Sequence, residues 1–300
     1  MRGMNPFAVD APDLTDVRED LDRLLSAFGT ENPVLAGLDV DGTLVNHDGD
    51  MSPELHDVLQ RTAATRHVVI ATGRSIGATL PIARLAGIDR GYAVCSNGAI
   101  TVELDPALPQ GHRIMDTRSF APREALTALR EVAPDAHYAV ETAEGGFFST
   151  RAFQDASFGT RALETPFEDL LDLQAVRVVV HVPDLSPAEF SDVVAQAGVH
   201  GVEYAIGWTA WLDMAAPGVS KASALEAVRA RLGVERERTV AVGDGFNDTE
   251  MLEWAGAGIA MGQAPDGVKA IADGVTGPVG LDGAALVLER ILPIAHASAT

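Results

Sequence analysis

The sequence predicts an α/β protein: a Rossmann-like parallel-sheet core covered by helices on both faces, with an inserted α+β domain. Three observations carry that expectation. Short apolar runs alternate with amphipathic segments in the first third of the chain and again in the last. Between them the rhythm changes to hairpin-like strands. Polar residues cluster just after several of the apolar runs, where open α/β sheets bind their ligands.

Taken in order, residues 1–32 form an acidic extension. Val17, Leu21, Leu24, Leu25 and Phe28 recur at helical spacing after Thr15, read as an N-cap, which predicts a helix docked on the body. "VLAGLDV" is the first strand. "SPELHDVLQRTAA" is a helix with Ser52 at the N-cap and Pro53 at the first helical position. "HVVIATG" is the second strand, "IGATLPIARLAG" a helix interrupted or entered at Pro81, and "YAVCSNGA" the third strand. "AITVEL" and "HRIMDT" then flank a Pro-rich turn, and "AVETAEGGFFST" reads as two strands around Gly145-Gly146. "AVRVVVHV" is a strand, and "GVEYAIG" with "AWLDMAA" forms a hairpin. The α/β rhythm resumes with the helix "SKASALEAVRARLG", which ends at Gly233. "RTVAVGDG" is a strand, "NDTEMLEWAG" a helix and "AGIAMG" a strand, with helices to the end. The expected division is therefore an extension over 1–32, a core over 33–100 and 216–300, and an insert over 101–215.

Composition narrows the function. The chain has 300 residues, 47% of them apolar, so it is globular. Its net charge of −21 argues against general affinity for nucleic acid or anionic membrane. An anionic substrate therefore needs a locally positive site. The single cysteine, Cys95, excludes an internal disulfide framework and suits a reducing compartment; its apolar strand makes it a core residue rather than a nucleophile. There is no apolar run of membrane-spanning length and no signal-peptide pattern, so the expected location is the cytoplasm. Arginine occurs 20 times and lysine only twice, at Lys221 and Lys269. Where arginine serves for ordinary surface charge, a lysine is a candidate for chemistry.

The strand ends hold the candidate site. Asp39 and Asp41 lie one residue apart after an apolar strand. If the strand persists, both face one way. Adjacent carboxylates repel unless a cation or a shared proton sits near them. Strand two ends at Thr72-Gly73-Arg74 and strand three at Ser96-Asn97-Gly98. The later strand ends at Gly243-Asp244-Gly245, followed by Asn247 and Asp248 at a helix start, and Lys221 opens its helix just after Gly218. Each piece has a plain reading. Asp-Gly pairs form turns, and Asn247 and Asp248 could be caps. Together, polar clusters at one sheet edge exceed what turns require. Asp39, Asp41 and Asp244 then converge on a hard cation, and oxygen ligands without nearby His or Cys favour Mg²⁺ over zinc. An EF-hand is excluded, because the glycine and glutamate places of its loop hold Leu44 and Asp50. A Walker loop is absent.

"DVDGT", "ATGR", "SNGA", "GVSK" and "GDGFND" resemble, in order, the motifs of the haloacid dehalogenase superfamily of phosphatases. The likeness is to the Cof-type, sugar-phosphatase-like branch, with a type-IIB cap as the insert. "AMGQA" resembles a further branch signature, with Gln263 where asparagine is usual. The likeness runs from about Pro33 to the C-terminus. It implies Asp39 as the nucleophile and Asp41 as the general acid and then base, its backbone carbonyl also facing Mg²⁺. It implies Thr72 on the phosphoryl group, Lys221 neutralising Asp39 and the phosphoryl oxygens, and Asp244 on Mg²⁺ with Asp248 nearby. Gly73, Arg74, Asn97 and Asn247 are candidate substrate contacts.

The implied function is Mg²⁺-dependent hydrolysis of a small-molecule phosphate ester through an aspartyl-phosphate. A phosphomutase or phosphotransferase and a non-catalytic phospho-ligand sensor remain as alternatives. In the insert, Trp208, Trp211, Phe147, Phe148 and Tyr204 are candidates for substrate contact or for core packing.

Overall fold

The computed structural model describes residues 14–30, 32–151, 156–183, 185–199, 202–206 and 211–293. Helix α1 (Thr15–Leu24) opens the described chain. Thr15 is its first helical residue, and Leu14 occupies the N-cap position assigned to Thr15 from sequence. Strand β1 (Leu35–Leu38) is wholly buried. Helix α2 (Pro53–Ala63) starts at Ser52, whose side chain accepts from the Leu55 N–H. Such a cap contributes about 1 kcal/mol. Strand β2 (His67–Ala71) leads to α3 (Ile76–Leu85), which runs through Pro81, and then to β3 (Gly91–Cys95).

After Cys95 the chain reverses sharply. Ser96, Asn97 and Gly98 all take positive φ, at 50°, 53° and 103°. Strand β4 (Ile100–Leu104) therefore folds back antiparallel on β3, with Cys95 opposite Ile100, and β5 (His112–Thr117) pairs with β4. This corrects the expected boundary at residue 101. The hairpin is present, but it extends the edge of the core sheet and is not part of the insert. An antiparallel edge on a parallel sheet is common, so hairpin rhythm alone does not mark a new domain.

The insert builds its own sheet. Helix α4 (Arg123–Val132), β6 (His137–Thr142), β7 (Phe147–Ser149), β8 (Leu163–Glu164), α5 (Phe167–Leu170) and β9 (Ala175–His181) come first. Helix α6 (Pro187–Ala197), β10 (Glu203–Ile206) and β11 (Trp211–Ala215) complete it. The strand order is β10-β11-β9-β6-β7-β8, antiparallel except between β7 and β8.

The chain then returns to the first sheet through α7 (Lys221–Leu232), β12 (Thr239–Gly243), α8 (Thr249–Trp254) and β13 (Ala257–Ala260). Helix α9 (Asp266–Lys269), β14 (Gly274–Val275) and α10 (Gly283–Ile291) follow. That sheet has eight strands in the order β14-β13-β12-β1-β2-β3-β4-β5. Its first six are parallel neighbours, and the order reverses direction around β1, which pairs with β12 on one side and β2 on the other. A switch point of this kind leaves a crevice at the carboxyl ends of the strands.

The N-terminal segment is bound to this body. Leu21, Leu25 and Phe28 are buried in the main core. Buried Arg66 donates to the carbonyls of Phe28, Thr30, Asn32 and Ile291. Arg238 donates to Ala27 and Asn32 carbonyls and to the Thr30 hydroxyl. Cys95 is buried, and burial pushes its thiol up to about 12, which suits a packing residue. Among the described residues, no helix is long and apolar enough to cross a membrane.

Candidate active site

Because β1, β2, β3 and β12 end level with one another, the residues that follow them emerge at one edge. Asp39 follows β1, Thr72 follows β2, Ser96 and Asn97 follow β3, and Asp244 follows β12. Lys221 enters from the first turn of α7. Its helix is held at Ser220, which accepts from the Ser223 N–H, so the lysine stem is aimed inward from a fixed start.

The Lys221 side chain is wholly buried. Its Nζ donates to Asp39 Oδ1 at 2.6 Å and to Asp248 Oδ1 at 2.6 Å. The other Asp248 oxygen accepts from the Asp244 and Gly245 N–H groups at 3.0 and 2.9 Å. Asp248 is thus a fixed anchor that aims Lys221 at Asp39. Burial and the nearby Asp248 hold the Asp39 carboxyl well above the ordinary range, although Lys221 opposes them. Burial alone would lower Lys221, but Asp248 and Asp39 outweigh it and keep the ammonium charged. Asp244 is pushed up to about 6, first by burial and then by Asp248.

Asp39, Asp244 and Asp248 each offer an oxygen within 4.8 Å of the others. Sequence reasoning had placed Asp41 rather than Asp248 with Asp39 and Asp244. Strand β1 stops at Leu38, so the alternation that would align Asp39 with Asp41 does not continue. The Asp41 carboxylate instead accepts from two nitrogens of Arg74, Nε at 2.9 Å and Nη2 at 2.6 Å. Two buried carboxylates and the half-buried Asp244 against one ammonium leave a net negative centre with oxygen donors only. That donor set fits a hard divalent ion such as Mg²⁺.

The remaining candidates surround this centre. Buried Thr72 accepts from the Arg74 N–H at 3.1 Å. Gly73 lies against the Asn97 side chain, whose Oδ1 accepts from Asn247 Nδ2 at 3.0 Å. Gly42 is required by its neighbours. Its φ is +77°, and a Cβ there would stand 2.2 Å from Asp244 Oδ2.

Sequence reasoning missed four residues around this centre. Gln263, noted only as a departure from a signature, donates to the Gly42 carbonyl at 2.5 Å and to Asp244 Oδ2 at 3.2 Å. Ser157, Arg177 and Asp213 come from the second sheet and its loops, and they line one cavity of about 580 Å³ with Asp39, Asp41, Asp244 and Trp211. A signal existed. Arg177 and Asp213 are the only formally charged residues in "AVRVVVHV" and "AWLDMAA", and a charge in a buried strand needs a reason. Of the aromatic candidates, Trp211 lines the cavity, whereas Phe147 is buried and stacks on Phe158. Phe148 is half-buried beside the core, Tyr204 lies in β10, and Trp208 falls outside the described residues.

The fold is of the α/β class, and the candidate site lies at the switch point of its sheet. Residues 37–288 match the family of haloacid dehalogenase-like hydrolases, and the chain belongs to that family. It is therefore a hydrolase by family, and several of the curated relatives it resembles are named phosphatases. A phosphoglycolate phosphatase of Halobacterium salinarum is 29% identical over 266 residues, covering 87% of this chain and 98% of the relative. A 5-amino-6-(5-phospho-D-ribitylamino)uracil phosphatase of Bacillus subtilis is also 29% identical, covering 86% and 97%. Among solved structures, a subclass IIB sugar phosphatase of the same superfamily superposes with a TM-score of 0.69 at 23% identity, covering 86% of this chain and 98% of that one. The first two relatives act on different esters at equal identity, so identity does not select the substrate.

Proposed function

We propose that this chain is a Mg²⁺-dependent phosphomonoester hydrolase that acts on small phosphorylated metabolites through an aspartyl-phosphate on Asp39. The observation that carries the reading is Asp39 itself, a buried carboxylate held by a buried lysine that Asp248 anchors in turn. Asp39, Asp244, Asp248 and the Asp41 carbonyl would hold the Mg²⁺, which when bound offsets carboxylate and phosphoryl charge as a Lewis acid.

The Asp39 oxygen not bonded to Lys221 attacks phosphorus. The bond to the ester oxygen breaks, and Asp41 gives that oxygen its proton. Asp41, now a carboxylate, takes a proton from water, whose oxygen attacks the phosphorus and releases inorganic phosphate and free Asp39. Lys221 and the Thr72 hydroxyl stabilise the equatorial oxygens as charge gathers there. Arg74 pairs with Asp41 until the ester arrives. Its two-pronged donor fits a phosphoryl group, and its transfer to the substrate frees the Asp41 carboxyl for proton chemistry.

Residues 118–215 act as a cap whose sheet closes over the strand ends. Ser157, Arg177, Trp211 and Asp213 on the same cavity support this. A reducing, cytoplasmic setting belongs to the same reading and is supported by the single buried cysteine.

The test is phosphate release. Asp39→Asn should lower kcat by at least about 10⁴ with an unchanged circular dichroism spectrum, because loss of a nucleophile typically costs that order. Chelation should abolish wild-type turnover and Mg²⁺ should restore it, with Ca²⁺ a poor substitute. Near-wild-type release by the variant, once deamidation is excluded, overturns the assignment of Asp39.

A further inference from the structure

One face of the second sheet looks into the cavity, and its polar residues form a single unit. Glu141 on β6 stands opposite Arg177 on β9 in the strand register. Asp213 on β11 stands opposite Val179, two residues beyond Arg177 and on the same face. Trp211 precedes Asp213 by two residues and shares that face. The contacts follow from these positions. Arg177 Nε donates to Asp213 Oδ1 at 2.5 Å, and Trp211 Nε1 donates to Asp213 Oδ2 at 3.0 Å. The Arg177 guanidinium also lies over the Phe158 ring, 5.5 Å from its centre.

The exposures of the pair are unequal. The Arg177 side chain is 4% exposed and that of Asp213 is 21%. Both side chains line the cavity, but the carboxylate, fixed by two donors, is the more exposed of the two and its compensating cation the less. A hydroxyl arriving here meets an acceptor. A carboxylate arriving here meets a like charge, in a cavity where Asp39, Asp41, Asp48, Asp213 and Asp244 outnumber the cations Arg74 and Arg177.

We propose that Asp213 is a specificity-determining residue that restricts the enzyme to phosphomonoesters with an uncharged, hydroxyl-bearing leaving group. The inference rests on the phosphatase reading above and goes beyond it. It separates this chain from relatives whose leaving group carries a carboxylate, such as the phosphoglycolate phosphatase. In this arrangement Trp211 orients the Asp213 carboxylate and offers a flat apolar wall to the carbon skeleton, while Arg177 holds the carboxylate in place.

The experiment compares glycerol 3-phosphate with 3-phosphoglycerate, which differ by a hydroxymethyl group against a carboxylate. Wild-type kcat/KM should favour glycerol 3-phosphate by at least about tenfold, since a like-charge contact typically costs that much or more. Asp213→Asn keeps an oxygen for Arg177 and removes the charge. It should move the ratio of the two kcat/KM values at least about tenfold toward 3-phosphoglycerate. Partial misfolding scales both values equally and leaves the ratio untouched. A wild-type preference for 3-phosphoglycerate, or a ratio that Asp213→Asn shifts by less than about twofold, overturns the proposal. Calorimetric binding of both esters on an Asp39→Asn background reads the same ratio without turnover. Absence of hydrolysis together with selective binding would overturn the phosphatase reading and keep this one. Binding of neither ester would overturn this proposal and leave the phosphatase reading standing.

Discussion

Replacing Lys221 with methionine tests the centre of the site without reference to catalysis. Methionine keeps the length of the stem and removes the ammonium. In the wild type that ammonium makes 2.6 Å bonds to Asp39 and Asp248 and is shielded from solvent. The substitution leaves two buried carboxylates facing each other, and breaking a buried pair from one side typically costs about 3–5 kcal/mol. For a chain of this size that corresponds to a fall in Tm of roughly 6–20 °C. The loss should shrink as pH falls, because Asp39, already raised by burial, takes up the proton that relieves the repulsion. Differential scanning calorimetry without divalent ions reads both effects. A second variant isolates the cause. Asp248→Asn keeps an oxygen for the Asp244 and Gly245 N–H groups and removes one of the stranded charges. Lys221→Met with Asp248→Asn should therefore be more stable than the sum of the single losses by at least about 1 kcal/mol. A single-variant loss under about 1 kcal/mol, or strict additivity in the double variant, would refute the view that Lys221 neutralises a buried anionic pair.

Three further outcomes follow from the same contacts. Lys221→Arg should lower kcat/KM by about 10² or more, because a planar fork does not fit where a point charge bridges Asp39 and Asp248; a change within about twofold contradicts this. Glu141 is held at about 7 instead of its ordinary 4.5, chiefly by burial, with Arg177 and Ser96 opposing. The folded protein therefore keeps a proton that the unfolded chain releases, and stability falls as pH rises from about 4.5 through about 7. Glu141→Gln should flatten that slope, gaining up to roughly 3 kcal/mol on the wild type between pH 4 and 8; parallel Tm–pH curves for the two proteins contradict it. Arg66→Met strands carbonyls of Phe28, Thr30, Asn32 and Ile291 and should cost about 2–4 kcal/mol in urea unfolding, with kcat unchanged in the folded fraction. A loss under about 0.5 kcal/mol would show that these carbonyls are as well satisfied by water.

The core sheet was legible because its strands are short apolar runs closed by Gly, Asp and Asn, and each of those stops is a local signal. Asp39, Thr72, Asn97 and Asp244 could be named together because parallel strands end at one edge, and Lys221 because it opens a helix in a chain with only two lysines. What failed was anything decided by where a chain turns next. Residues 101–117 read as part of the insert because antiparallel rhythm is the same whether a hairpin starts a sheet or extends one. The partner of Asp41 was missed because strand alternation was carried past Leu38, where β1 ends. Arg177 and Asp213 were missed because their meeting depends on the register of β9 against β11, which neither segment states alone. Gln263 was seen as an oddity of a motif. Its contacts to Gly42 and Asp244 lie 221 and 19 residues away.

The position of β1 has a consequence for the birth of the molecule. Its partners are β2, made soon afterwards, and β12, which starts at Thr239. Asp39 is separated from Lys221 by 182 residues, so at translation speeds of about 5–20 residues per second it waits roughly ten to forty seconds for its cation. During that interval one edge of a wholly buried strand is open, next to an acidic residue with nothing yet to balance it. Slowing synthesis between Leu38 and Thr239 should lower the soluble yield more than the same delay placed after Ile291.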